Sequence, residues 1–307
     1  MRVLVTGGTG YLGTAIVRAL ERRGHHAVVF ARGARELDGG VRGDVRRRED
    51  VARAVRGVDA VCHAAALVSI WRKRRQDFDD VNIGGLRNVI DACRGRGVSR
   101  VIYTSSFLAL PPAGSDRPLG ANDYQRTKAA AHRVALEAIE AGAPIVILVP
   151  GVIYGPGPAT EANLVGRLIR DHLRRRLPGL FGAARLWSYA WLDDVADAHV
   201  TALERAEVGS EHLLGGENAP QMRVFEIVRE HVGLPLPRDL PFGMGTALGA
   251  LEEARVRLLG GTPLVTRGAV EIFRYDWPLD SERSVRELNY RVTPLKAGIP
   301  AVVRSLS

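Results

Sequence analysis

The chain has 307 residues, 46% of them hydrophobic and 25% charged, which is ordinary for a globular protein and enough for one large α/β domain with an attached lobe. Its net charge of +9 rests on 43 basic residues, but 40 of these are Arg spread along the whole chain, which argues against a nucleic-acid partner read by one clustered face. Met1 leads straight into a strand and no apolar run approaches membrane-spanning length. Cys62 and Cys93 lack metal-ligand spacing, so a reduced cytoplasmic protein with no membrane and no metal partner is expected.

Arg2-Val3-Leu4-Val5-Thr6 is a short β-branched run and reads as a buried parallel strand. It enters Gly7-Gly8-Thr9-Gly10-Tyr11-Leu12-Gly13 and then a helical pattern from Thr14 to Leu20. Strand, glycine turn and helix in that order offer a diphosphate free N–H groups at a helix N-terminus. Further strands are predicted over residues 25–31, 41–43, 60–64, 100–105 and 145–149, with helices over 49–56, 81–96 and 124–141 between them. The basic run Arg72-Lys73-Arg74-Arg75 reads as a solvated helix start. This alternation implies a doubly wound parallel sheet with helices on both faces.

Beyond Pro150 the regularity fades. Residues 151–158 read as a Gly/Pro loop and 162–176 as an Arg-rich amphipathic helix. Another helix begins near Trp191, with Asp193 or Asp194 as its cap. The expected division is a dinucleotide-binding domain over 1–158, to which 186–204 return, and a smaller discontinuous C-terminal substrate lobe over 159–185 and 205–307. Ligands in such sheets lie outside the carboxyl ends of the strands, where this lobe would close over them.

Tyr124 and Lys128 are four apart on a predicted helix and share a face, so a nearby ammonium can favour the phenolate. Thr104, Ser105 and Ser106 at a strand end are competing hydroxyls, since such groups often only cap turns. Asn82 at the start of a predicted helix reads, by itself, as a helix cap. His63 reads as structural.

Taken together, Gly7-x-x-Gly10-x-x-Gly13, Asp44-Val45, His63-Ala64-Ala65-Ala66, Asn82, Thr104-Ser105-Ser106 and Tyr124-x-x-x-Lys128 resemble the extended short-chain dehydrogenase/reductases. Pro150-Gly151-x-x-Tyr154-Gly155-Pro156, Trp191-Leu192-Asp193-Asp194-Val195-Ala196 and Asn289-Tyr290-Arg291-Val292-Thr293-Pro294-Leu295 carry the resemblance over nearly the whole chain. It is nearest to the dihydroflavonol-4-reductase-like branch, with the related bacterial proteins described as sugar epimerases of hopanoid loci. The resemblance implies a Rossmann fold and a catalytic set of Ser106, Tyr124, Lys128 and Asn82. It also implies a cofactor held by Gly7, Gly10, Tyr11, Leu12, Gly13, Arg32, Asp44, Val45, Ala64, Ala65, Ala66, Tyr124, Lys128, Pro150, Val152 and Ile153. Asp44 would accept a hydrogen bond from the adenine amino group and Val45 would flank the ring. It further implies a homodimer built from the helices starting near Asn82 and Tyr124, the second carrying Ala129, Ala130, Ala131, Ala135 and Ala138.

NADP(H) is expected over NAD(H), because strand two ends at Ala31 with no acid for a ribose 2′-hydroxyl, and Arg32 and Arg35 follow. Val149 and Val152 stand where nucleotide-sugar epimerases of the family carry Arg and Asn, and Trp187 stands where they carry Arg. These departures point to a compact or apolar carbonyl substrate, or its alcohol, although Arg185 lies close enough to substitute. The competing readings are a nucleotide-sugar epimerase or dehydratase with tightly held NAD, and a non-catalytic dinucleotide sensor.

Overall fold

The structure is a computed structural model that describes residues 1–34 and 39–306. Its first half is β1 (Arg2–Thr6), α1 (Tyr11–Arg22), β2 (His26–Ala31), β3 (Val41–Arg42), α2 (Arg48–Ala54), β4 (Ala60–His63), α3 (Gln76–Phe78), α4 (Gly85–Cys93), β5 (Arg100–Thr104), α5 (Asp123–Glu140) and β6 (Ile145–Pro150). The second half is β7 (Val152–Tyr154), α6 (Leu164–Leu173), β8 (Leu180–Phe181), β9 (Leu186–Trp191), α7 (Leu192–Arg205), β10 (Glu211–Leu214), β11 (Glu217–Pro220), α8 (Gln221–Val232), β12 (Asp239–Leu240), α9 (Phe242–Leu259), α10 (Arg267–Ile272), α11 (Glu282–Leu288) and α12 (Leu295–Leu306).

Seven parallel strands form one sheet in the order β10-β6-β5-β4-β1-β2-β3. The period of two sorts its side chains between two cores. Val3, Val5, Cys62, Ile102 and Leu148 pack with Ile16 and Leu20 of α1 and with α7. Leu4, Phe30, Val61, Tyr103 and Ile147 pack on the other side with α2, α4 and α5. Strands buried on both faces explain the near-continuous apolar runs of the sequence. The strand order reverses between β1 and β4, and the turns after both strands meet there.

The structure corrects several expectations. The helix expected from residue 81 begins at Gln76, and a π-helical turn, Asp79–Gly84, joins α3 to α4. The 151–158 loop contains β7, which lies beside β9 in a second sheet, β11-β9-β7. Asp193 and Asp194 lie in the first turn of α7 and neither side chain caps it. Inside the 205–307 stretch assigned to the substrate lobe, β10 pairs with β6 as the seventh strand of the large sheet. Ala131, Ala135 and Ala138 face the sheet core, so they are not available for close approach by another chain. A third core, with Phe107, Trp187, Tyr189, Phe225, Trp277 and Ile299, fills the lobe.

Candidate active site

The turn after β1 is shaped by what its glycines lack. Gly7 takes φ +73°, and a Cβ there would lie 2.9 Å from the Ala65 backbone. A Cβ on Gly13 would lie 2.1 Å from the Gly7 carbonyl oxygen, so the helix can seat on the turn only as glycine. Gly10 precedes α1 with no side-chain cap, and no acid stands in the first turn. The positive end of the helix dipole is therefore left to a ligand, which fits a diphosphate. Tyr11 turns away from this end and donates to the Gly155 carbonyl at 2.9 Å, while Leu12 packs against the first core.

The turn after β4 is fixed to the first one. Thr6 Oγ1 receives the Ala65 N–H at 3.3 Å and shares a 2.7 Å hydrogen bond with His63 Nδ1. His63 is fully buried, and that burial together with the Lys128 charge lowers its pKa to about 3. It is a neutral structural group. Ala64, Ala65 and Ala66 are half-buried and present small surfaces at the junction.

Asn82 lies within the π-helical turn, so it is not a helix cap. Its Oδ1 accepts from Leu67 N at 2.8 Å and its Nδ2 donates to Thr127 Oγ1 at 2.9 Å. The carboxamide thus ties the loop after β4 to the helix that carries Tyr124 and Lys128. Single-turn π segments of this kind recur at functional sites because they re-aim one side chain. Thr127 was not singled out from sequence, although its place between Tyr124 and Lys128 on one helix face was available to be noticed.

Helix α5 starts at Asp123 because Asn122 caps it, its side chain accepting from Gln125 N at 2.8 Å. Lys128 is 3% exposed and its Nζ donates to the Thr104 carbonyl at 2.8 Å, over the Tyr103 ring. Burial lowers its pKa to about 7. Burial also raises Tyr124 above the ordinary phenol value, and a hydrogen bond with the Ser106 hydroxyl opposes that rise. The ammonium and a positive nicotinamide are expected to favour the phenolate; in the protein by itself desolvation dominates and works against it.

The three candidate hydroxyls now separate. Thr104 Oγ1 is bonded to His199 Nε2 at 2.8 Å and Ser105 Oγ to His132 Nδ1 at 2.8 Å. Ser106 is the one set beside Tyr124, and its oxygen also receives Leu108 N at 3.2 Å. Phe107 follows it and begins an aromatic wall. Its ring is 6.0 Å from Trp187 and 5.5 Å from Trp277, and Trp187 stacks on Phe273 at 4.9 Å. Tyr124 packs against this same cluster.

Other predicted positions differ. Both carboxylate oxygens of Asp44 are held by Arg46, at 3.0 and 2.6 Å from its Nε and Nη2 to Oδ2, and this pairing lowers the Asp44 pKa. Val45 is buried against Gly85 in the second core. Arg32 is exposed just past β2, and Arg35 lies outside the described residues. Pro150 ends β6, Val152 is buried in the third core, and Ile153 packs against the first. Val149 is wholly inside the sheet core and gives the site no surface. Arg185 is paired with Asp276 at 3.5 Å. Among the described residues no group of three His, Cys, Asp or Glu could hold a metal ion.

The buried histidines make stability sensitive to acid. His63 and His199 have pKa values lowered by burial to about 3 and about 4, against an ordinary 6.5. Between those limits the unfolded chain binds protons that the native state refuses, so stability falls as pH falls through this window. The melting temperature should drop steadily below about 6.5, and His199→Gln should flatten that drop in a calorimetric pH series.

Residues 3–215 match the model of the NAD dependent epimerase/dehydratase family. The chain is 32% identical to sterol demethylase protein B of Methylococcus capsulatus, over 99% of this chain and 97% of that one. It is likewise 32% identical to 2-alkyl-3-oxoalkanoate reductase of Stenotrophomonas maltophilia, over 94% of each. Among solved structures, UDP-glucose 4-epimerase of Thermus thermophilus in complex with NAD superimposes with a TM-score of 0.75 at 26% identity, covering 100% of this chain and 99% of that one.

Proposed function

The chain belongs to the NAD dependent epimerase/dehydratase family, and we propose that within it this protein is a reductase, transferring hydride from NADPH to the ketone or aldehyde carbon of an apolar substrate. The observation that carries this reading is the Tyr124–Ser106 pair set against the Phe107–Trp187–Phe273 wall, with Arg185 paired to Asp276. The two relatives at 32% identity are named for a sterol and for a 2-alkyl-3-oxoalkanoate, both largely apolar.

The glycine turn and the open start of α1 would hold the diphosphate, Ala64–Ala66 and Lys128 the ribose, and Arg32 the 2′-phosphate. When bound, the nicotinamide supplies the hydride. The protein supplies the rest. As negative charge grows on the carbonyl oxygen, Tyr124 gives it a proton and Ser106 a second hydrogen bond. Lys128 spends one N–H on Thr104 and keeps two for the ribose and the tyrosine oxygen. Asn82 and Thr127 hold the α5 helix against the loop that bears the cofactor.

Incubating the protein with NADPH and a panel of carbonyls, from small aldehydes to long-chain 3-oxo acids and ketosteroids, tests the reading through nicotinamide absorbance. Oxidation with an apolar member supports it. A protein that purifies with NAD bound and oxidises NADPH with none of them is an epimerase instead. Arg32→Ala should weaken NADP binding by roughly ten- to a hundred-fold and leave NAD binding unchanged, measured by titration calorimetry.

The dimer remains part of this reading. A groove of about 500 Å³ runs between the π-helical turn, α4 and α5 on the outer face, lined by Asp79, Ile83, Arg87, Ala130, Arg133 and Glu137. Acids, bases and small apolar groups on one patch suit a two-fold contact of that patch with itself. Light scattering should return twice the monomer mass at micromolar concentration, and Ala130→Arg should halve it.

A further inference from the structure

Helix α9 is the unusual element of the lobe. It buries only Gly245, Gly249, Glu252 and Val256. Its outer side carries Met244, Leu248 and Leu251, exposed at 54%, 41% and 66%. Its last two residues, Leu258 and Leu259, are exposed at 84% and 81%, and the turn beyond it adds Leu264 at 83%. Six large apolar side chains within 21 residues form a patch of the kind that marks an interaction site.

Two further observations say what covers it. The first is its position. Gly249 of α9 abuts the Thr266–Arg267 backbone at the start of α10, and Gly268 of α10 abuts the Ala121 carbonyl oxygen. The inner side of α9 is thus braced, through α10, on the residues that lead into Tyr124, and the leucines lie on its outer side. The second is charge. On the same stretch, Asp123 is paired with Arg75 at 2.8 Å, which anchors the run Arg72-Lys73-Arg74-Arg75 beside the site. Arg74 has acidic neighbours in Asp77 and Asp80. Among the described residues Arg72 and Lys73 have no ion-pair partner, and both are exposed. The acids of α9 are already neutralised, Glu252 by Arg255 and Glu253 by Arg267.

We propose that α9, its following turn and the Arg72–Lys73 cations dock this protein on an anionic phospholipid bilayer, with the site mouth facing the lipid. Leucines would enter the headgroup boundary while the cations bind the negative surface. A second copy fits less well, because the α9 acids Glu252 and Glu253 are already paired and would offer Arg72 and Lys73 no partner. Among the described residues no helix is long and apolar enough to cross a membrane, so the contact is with the surface. The proposal rests on the reductase reading only for its purpose, delivery of an apolar carbonyl from lipid. The docking itself is measured without substrate.

Co-sedimentation with vesicles tests it. The wild type should bind vesicles of phosphatidylcholine with phosphatidylglycerol and bind pure phosphatidylcholine much more weakly, and added salt should release it. Leu258→Glu with Leu259→Glu should weaken partitioning roughly ten-fold or more per leucine, and Arg72→Ser with Lys73→Ser roughly five-fold per charge. These positions lie outside every core, and an unchanged melting temperature confirms intact folding. The proposal is overturned if the wild type stays in the supernatant or if the leucine variants bind as it does. It is equally overturned if light scattering shows that those variants only split an oligomer. Turnover of a water-soluble aldehyde separates the two readings: vesicle binding without any turnover sinks the reductase assignment alone.

Discussion

Tyr124→Phe should lower turnover by about 10²–10⁴-fold while nucleotide binding survives, because it removes the one proton donor set beside Ser106 and leaves the ring in place. Steady-state kinetics should show the loss in kcat with KM nearly unchanged, since the hydroxyl acts as charge develops and not in the resting complex. Nucleotide affinity, read by the fluorescence of bound NADPH, should stay within about two-fold. A phenylalanine variant that reduces an accepted carbonyl at the wild-type rate would sink the mechanism even with the fold correct, and would favour the sensor reading.

Lys128→Met should separate function from stability in the opposite direction. Turnover and nucleotide affinity should both fall if, as proposed, one side chain serves the tyrosine and the ribose. The melting temperature should nonetheless rise, because methionine fills the space without a desolvated ammonium. The sign with pH follows from the lowered pKa, about 7 against an ordinary 10.5. Between those values the unfolded chain holds a proton that the native chain has lost, so wild-type stability climbs with pH across the window. The gain from methionine should therefore be largest at and below about 7 and vanish toward 10.5. Calorimetry at neutral and alkaline pH measures it. A melting temperature that falls at neutral pH would show that the bond to Thr104 outweighs the cost of burial.

Much of this was legible in the sequence where a physical demand is local. The G-x-x-G-x-x-G turn is local because each glycine answers a contact within a few residues or with one adjacent strand. The Tyr124–Lys128 spacing is local because a helix fixes it. The cap alternative for Asn82 failed for an equally physical reason. A π-helical turn shifts the phase of the apolar pattern, and the charged run from Arg72 to Asp80 hides the helix start. The residues by themselves left Thr104, Ser105 and Ser106 open and only the family resemblance pointed to Ser106, because two of them are claimed by histidines 95 and 27 residues away. Val149 misled in the same way: its apolar character serves the sheet core and not the substrate. The leucines of α9 look like core residues in any pattern of hydropathy, and only their exposure sets them apart.

The late arrival of β10 also bears on how the chain reaches its fold. Glu211–Leu214 closes the β6 margin of the sheet, and Ser284 then bonds to the Leu213 carbonyl at 2.6 Å. A ribosome that has emitted the first six strands still lacks the piece that covers β6. Until some sixty more residues emerge, Ile147–Pro150 offers bare backbone donors and acceptors to any passing strand. Fragments cut near residue 158 inherit that uncovered margin permanently. They should aggregate on expression, whereas a fragment extended through residue 214 would carry its own protection.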